Sequence, residues 1–319
     1  MEELNTPPIE IRGLDDILKI VVDRGASDLH LQAGTPPMLR LHKHLLPVGT
    51  EVMSGSAIEA LVYPIMNDDQ KAVFKQHLDF DFSYSVKGLA RFRVNVFRQR
   101  GSMAAIMRRI PFTIPDLDSL GLPDVVKGLT RLEKGFVLVT GPTGHGKSTT
   151  LVAMIDKINQ ERDVHTVTVE DPNIILVGEL RDLETIAAVL TAAETGHLVF
   201  RTLHTNSAPQ SIDRIIDVFP AGQQGQIRIQ LANVLSAIVT QQLLTRKDGN
   251  GLVVATEVLI ATPAVRNLIR ENKSYQIVST MQTSGAKGMM TMEKCVRELV
   301  ARGIVAADVA LRAGVNVKD

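Results

Sequence analysis

The sequence predicts an α/β chain in two parts: a small α+β domain, then a larger domain built on a parallel sheet. Three observations lead there. Residues 1–110 mix one amphipathic helical run with strands that alternate apolar and polar residues. Residues 110–123, IPFTIPDLDSLGLP, carry three prolines and Gly121 and read as a linker. After them, GFVLVTGPTGHGKSTTLVAMIDKINQ sets an apolar run, a glycine-rich turn and an amphipathic helix in succession.

In the first part, Leu14, Ile17, Leu18, Val21 and Val22 have helical spacing, and Gly25 offers a stop. SDLHLQAG alternates Leu29 and Leu31 against polar neighbours, as a half-buried strand does. Phe80, Phe82, Tyr84 and Val86 alternate too. So do Phe92, Val94 and Val96, with Arg91, Arg93 and Asn95 on the opposite face. The expected boundaries are residues 1–110, a linker at 111–123, and a second domain at 124–319.

Composition narrows the function. The chain has 319 residues, 45% of them apolar, enough for two cores. Its 35 basic residues balance 35 acidic ones, which argues against a dominant nucleic-acid or membrane surface. A single cysteine, Cys295, excludes an intrachain disulfide framework and fits a reducing compartment. It sits in a helical run, residues 292–300, without an organising motif for catalysis. The acidic start, Met1-Glu2-Glu3, lacks a signal-peptide layout, and no run reaches the ~20 apolar residues of a spanning helix. A cytoplasmic protein is expected.

The chemistry starts at Gly141-Pro-Thr143-Gly144-His145-Gly146-Lys147-Ser148, the G-x-x-x-x-G-K-[ST] pattern, with Thr149 following. The glycines let the backbone curl so that several N–H groups face phosphate oxygens, and the helix N-terminus adds partial positive charge. Lys147 can reach the β and γ phosphates of a nucleotide, and Ser148 can place its hydroxyl on Mg²⁺. The strand–loop–helix setting, residues 136–139 before and Leu151, Met154, Ile155 and Ile158 after, sets the motif apart from a chance glycine turn. His145 fills a free position and reads as an exposed loop residue.

Hydrolysis also needs groups to hold the metal and orient water. NIILVGELRD supplies Glu179 at the end of an apolar strand, where open α/β sheets place ligands. TVTVEDP ends likewise in Glu170-Asp171; the alternative for either glutamate is a solvated strand end. A helix through Leu183, Ile186, Ala187 and Leu190 stops near Gly196, and a third strand, residues 198–202, delivers His204 to the same edge.

With these motifs the sequence resembles the PilT-like type IV pilus retraction ATPases, within the larger family of secretion ATPases, nearly end to end. ASDLHLQAGTPPMLRL and ARFRVNVFRQRG resemble its PAS-like N-terminal domain. GPTGHGKSTT is similar to its Walker A loop, IILVGELRDLET to its Walker B segment, TVTVEDP to the start of its Asp box, and TAAETGHLVFRTLHTNSA to its His box. AVRNLIRE, residues 264–271, resembles a C-terminal signature of retraction motors; read by itself, it is an ordinary amphipathic helix. The resemblance implies a RecA-like ATPase domain, ATP with Mg²⁺, Glu179 and Glu170 as acidic catalytic residues, and His204 near the γ-phosphate. It also implies a hexameric ring at the cytoplasmic face of the inner membrane, an inner-membrane platform protein as partner, and arginines from the N-terminal side completing the site. The candidates are Arg91, Arg93, Arg98, Arg108 and Arg109.

Two departures qualify the resemblance. The family carries a few dozen residues, including a crossover helix, between the Asp-box and Walker B strands. Here VEDP runs straight into NIILVGE, so a segment is missing between Pro172 and Asn173. Three residues cannot connect parallel neighbours. Either the protein has residues that this sequence omits, or the chain lacks them; a chain that lacks them is expected to bind ATP weakly and hydrolyse it little. The other departure is Arg201, where the family has a small residue. A guanidinium there reaches phosphate or a neighbouring subunit, or crowds the site. Two further functions stay open. One is a pilus-assembly or secretion ATPase, against which the lone cysteine speaks because those relatives carry a tetracysteine zinc site. The other is a weakly active structural paralogue in a mixed ring. Gly288–Met292, GMMTM, reads as core packing, with an interaction surface as the alternative.

Overall fold

The computed structural model of the chain describes residues 13–41, 44–110, 114–162, 174–179 and 182–317, with only the main chain at 177–179. Contacts divide it into two units, Met1–Thr113 and Ile114–Asp319.

The first unit holds helices α1 (Leu14–Asp23), α2 (Gly55–Val62) and α3 (Asp68–His77) and strands β1 (Asp28–Leu31), β2 (Met38–Leu41), β3 (His44–Pro47), β4 (Asp79–Val86), β5 (Ala90–Gln99) and β6 (Ser102–Ile110). The strands form one antiparallel sheet in the order β3-β2-β1-β6-β5-β4. Alternation decides the faces. Phe80, Phe82 and Tyr84 of β4 stand opposite Val96, Val94 and Phe92 of β5. That face packs in one core with Ile17, Leu18, Val21, Leu29, Phe74 and Met107. The other face of β5 carries Arg91, Arg93 and Asn95, as their alternation predicts. A reciprocal cap starts α3: Asn67 Oδ1 accepts from Gln70 N at 2.8 Å, and Asn67 N donates to Gln70 Oε1 at 3.0 Å.

The second unit contains α4 (Asp124–Gly128), β7 (Gly135–Thr140), α5 (Lys147–Glu161), β8 (Ile174–Glu179), α6 (Leu183–Glu194), β9 (Leu198–Leu203), α7 (Ala208–Asp217), α8 (Ala221–Val234), β10 (Leu235–Thr245), β11 (Leu252–Ile260), α9 (Pro263–Arg270), α10 (Ile277–Thr283), α11 (Met292–Ala301) and α12 (Ala307–Arg312). Its sheet runs β11-β10-β7-β9-β8. β7, β8, β9 and β10 are parallel, and β11 returns antiparallel on β10. β7 is buried on both faces. Phe136 and Leu138 pack with α6, α7 and α8, while Val137 and Val139 pack with Leu151, Met154 and Ile158 of α5. This double burial is why a parallel strand reads as an unbroken apolar run.

The strand read at residues 165–170, the link at 171–173 and Glu170 lie outside the described residues. Residues 174–178 do form a strand, parallel to β9 as the sheet type required. The described part of the stretch read as a linker, residues 114–123, packs against the second unit. Leu117 and Leu122 are buried against Val139 and α5, and Asp118 pairs with Lys157 at 3.0 Å and Lys127 at 3.2 Å. The proline content marks a spacer, and its buried leucines anchor that stretch to the second unit. Met289 and Met292 are core residues, consistent with the packing reading of GMMTM. Cys295 is half-buried and its Sγ accepts from Thr256 N at 3.3 Å; burial raises its thiol pKa, which opposes a nucleophilic role. Among the described residues no helix is long and apolar enough to cross a membrane.

Candidate phosphate-binding site

The loop between β7 and α5 takes its shape from glycine. Gly141 has φ +136°, and a Cβ there would stand 2.2 Å from Gln241 O, so any side chain would displace β10. Gly146 opens α5 at φ +82° with Gln241 Nε2 only 3.0 Å from a Cβ position. Thr143 and Gly144 form the exposed crown of the loop. Lys147, Ser148 and Thr149 are the first residues of α5, so their main-chain N–H groups have no acceptor one turn earlier in the helix. Ser148 and Thr149 are exposed; Lys147 is 6% exposed.

Lys147 is folded back over the loop. Its Nζ donates to Gly141 O at 2.8 Å and Pro142 O at 2.9 Å, and lies 3.2 Å from His204 Nδ1. Thr143 Oγ1 is 3.4 Å from the same nitrogen. An ammonium can only donate, so Nδ1 is the accepting atom in this contact. His204 therefore stands beside the phosphate loop, where its strand was expected to deliver it. β7, β8 and β9 bring Thr140, the main chain of Glu179, and Leu203 to one end of the sheet, with Glu179 in register with Thr202. The Glu179 side chain is outside the described residues.

His145 departs from its expected exposure. It is half-buried and held at two points by β10: Gln241 Nε2 donates to His145 O at 2.7 Å, and Leu243 N donates to His145 Nδ1 at 3.2 Å. Gln241 is 1% exposed, and its strand neighbour Thr240 shares a buried 2.8 Å hydrogen bond with Thr140. β10 thus grips both the entry and the exit of the loop. No motif pointed to Gln241, because its partner lies 96 residues away in sequence.

Arg201 is 1% exposed at the centre of β9, which rules out a guanidinium offered at the surface to a second copy. Burial lowers its pKa, and the charge of Asp182 opposes that. Of the five N-terminal arginines, Arg93 pairs with Asp81 at 3.2 Å, Arg98 with Glu59 at 2.9 Å, and Arg108 with the buried Asp28 at 2.9 Å. Arg109 is half-buried. Arg91 is exposed and has no ion-pair partner among the described residues.

AVRNLIRE spans α9. Val265 and Ile269 are buried, and Arg266 turns inward to the end of α8. Its guanidinium donates to the carbonyls of Ala232, Asn233, Leu235 at 2.8 Å and Ala261 at 2.9 Å. Asn267 and Arg270 remain exposed.

The family described as type II/IV secretion system protein matches residues 2–173 and 170–312, two pieces that overlap at 170–173. The chain is 43% identical to the type IV pilus retraction ATPase PilT of Pseudomonas aeruginosa over 331 aligned positions, covering 92% of this chain and 96% of the relative. It is also 43% identical to a twitching motility protein of Neisseria gonorrhoeae, over 88% of this chain and 84% of that one. A crystal structure of the pilus retraction motor PilT with bound ADP superposes with a TM-score of 0.81 at 40% identity, covering 94% of this chain and 96% of that chain.

Proposed function

The chain belongs to the type II/IV secretion system protein family, among its PilT-like members, and on that premise we propose that it is an ATP-hydrolysing motor for type IV pilus retraction and twitching motility. The observation that carries the reading is the convergence of Lys147 and His204, 3.2 Å apart, on the glycine loop at the carboxyl end of the parallel strands. The first unit is read as PAS-like and the second as RecA-like, with the second beginning at Ile114 rather than after a linker ending at residue 123.

The geometry of the loop supports the following roles. The N–H groups of the loop, residues Gly141, Thr143, Gly144, His145 and Gly146, and those of Lys147, Ser148 and Thr149 would cradle the phosphates. Lys147 would exchange the carbonyls of Gly141 and Pro142 for β and γ phosphate oxygens. His204 would offer its Nε2 proton to the γ-phosphate. Ser148, exposed on the first turn of α5, fits a hydroxyl ligand for Mg²⁺, which when bound would neutralise phosphate charge. Glu179 would orient the attacking water, with Glu170 as the second acidic residue. Phosphoryl transfer needs mostly such positioning and charge stabilisation. The assembly would be a homo-hexamer at the cytoplasmic face of the inner membrane, working on a membrane platform protein, with no nucleic acid. Arg91, which is exposed, is the arginine best placed to serve another copy, since Arg93, Arg98 and Arg108 are committed to carboxylates.

The absent stretch between Pro172 and Asn173 favours a second reading, a weakly active subunit of a mixed ring. The overlap of the two family matches at 170–173 supports a skipped segment flanked by repeated Glu-Asp-Pro. So does the 331-position alignment with the Pseudomonas relative, longer than this 319-residue chain. One experiment separates the readings: phosphate release by purified chain whose intact mass is 34.8 kDa. Turnover that disappears in K147A and E179Q supports the motor. No turnover without an active homologue supports the mixed ring.

A further inference from the structure

We propose that Glu257 is a positioning residue that holds His204 against the phosphate loop and ties this edge of the site to α11. Glu257 lies on β11 and is 6% exposed. Its Oε1 accepts from Ala208 N at 2.7 Å and its Oε2 accepts from Met292 N at 3.3 Å. These are the first residues of α7 and α11. Among the described residues no lysine or arginine pairs with this carboxylate. Two helix N-termini, each worth roughly half a positive charge, take the place of a cation. Burial pushes the carboxyl pKa up, and the two N–H donors pull against that shift.

The path from this carboxylate to the site is short and stiff. His204 precedes Ala208 by four residues. The intervening residues are tied to α7: Thr205 Oγ1 and Ser211 Oγ share a buried 2.6 Å hydrogen bond, and Asn206 N donates to Gln210 Oε1 at 2.8 Å. A shift of the α7 N-terminus therefore shifts His204 relative to Lys147. The same carboxylate answers to α11, so a displacement of His204 by a γ-phosphate changes the hold on Met292. This inference rests on His204 as a γ-phosphate contact.

The substitution Glu257→Gln keeps the shape but leaves one acceptor oxygen for two N–H donors, so one helix is released. The expected result is a kcat lowered by up to about a hundredfold with the KM for ATP unchanged, as for a displaced group acting in the transition state. In the parent protein, hydrogen exchange at the start of α11 should differ between ADP and a slowly hydrolysed ATP analogue. That difference should vanish in E257Q, which a merely structural role would not cause. Parent exchange at α11 indifferent to the nucleotide overturns the inference, as does E257Q with parental kcat. H204A keeps the two readings apart. If H204A hydrolyses normally, the role of His204 fails; if H204A is impaired and E257Q is not, only the role of Glu257 fails.

Discussion

Truncating Arg266 to alanine removes the cap on the carboxyl end of α8. Four carbonyls lose their donor: Ala232, Asn233, Leu235 and Ala261. Burial and the neighbouring Arg270 both lower the pKa of Arg266, yet a guanidinium stays charged in this setting. A hydrogen bond to a charged group contributes about 1.5–3 kcal/mol, and a cation at a helix carboxyl end about 0.3–1 kcal/mol more. The site is half-exposed, so water recovers some of the freed carbonyls and the four bonds do not add. The loss should be about 2–4 kcal/mol for R266A. Lysine reaches fewer of these carbonyls from a single point charge, so R266K should lose about half of that. For a unit of this size, thermal melting of the full chain should fall by roughly 5–15 °C in R266A. The exposed Asn267→Ala should stay within about 0.5 kcal/mol of the parent. If R266A melts within about 1 °C of the parent, the cap is not what this arginine contributes, and its place in the signature has to be explained at the surface.

Gln241→Leu should weaken ATP binding without touching a phosphate contact. Losing the buried donor to His145 O costs about 1–2 kcal/mol, or roughly 5–30-fold in Kd by nucleotide titration; an unchanged Kd would show that β10 does not set the loop. His30 gives a pH dependence. Burial first, then Arg40 and Arg108, lower its pKa, while Asp28 pulls the other way. The unfolded chain then takes up the proton first as pH falls below about 6.5, so stability is lost between that value and the depressed folded pKa. Melting temperature should therefore decline from pH 6.5 to 5.5, and H30Q should flatten that slope.

The phosphate loop, β7, α5 and the His204 strand were legible because their signals are local: glycines at fixed offsets, a continuous apolar run, a 3.6-residue period. What escaped was set by contacts distant in sequence. Nothing near Gln241 announces that it clamps His145, and nothing in AVRNLIRE says that its first arginine turns inward. The packing of the linker stretch has the same origin. Prolines are read locally, whereas the burial of Leu117 and Leu122 exists only once α5 is packed against them. Nothing near Glu257 in the sequence marks it as the point where two helix starts meet, because Ala208 and Met292 lie 49 and 35 residues away.

The placement of β7 between β9 and β10 also governs how the chain can be made. Both neighbours of this strand are synthesised after it, and β10 begins at Leu235, a hundred residues after Gly135. At about 5–20 residues per second, roughly 5–20 s pass between the emergence of the two strands from the ribosome. The antiparallel sheet of the first unit, whose last three strands pair in chain order, can close before then. During that interval Phe136, Val137, Leu138 and Val139 have no completed sheet to enter. The stretch of synthesis between residues 140 and 245 is therefore when this apolar strand is exposed, and a chaperone acting then would be expected to raise the yield of folded protein.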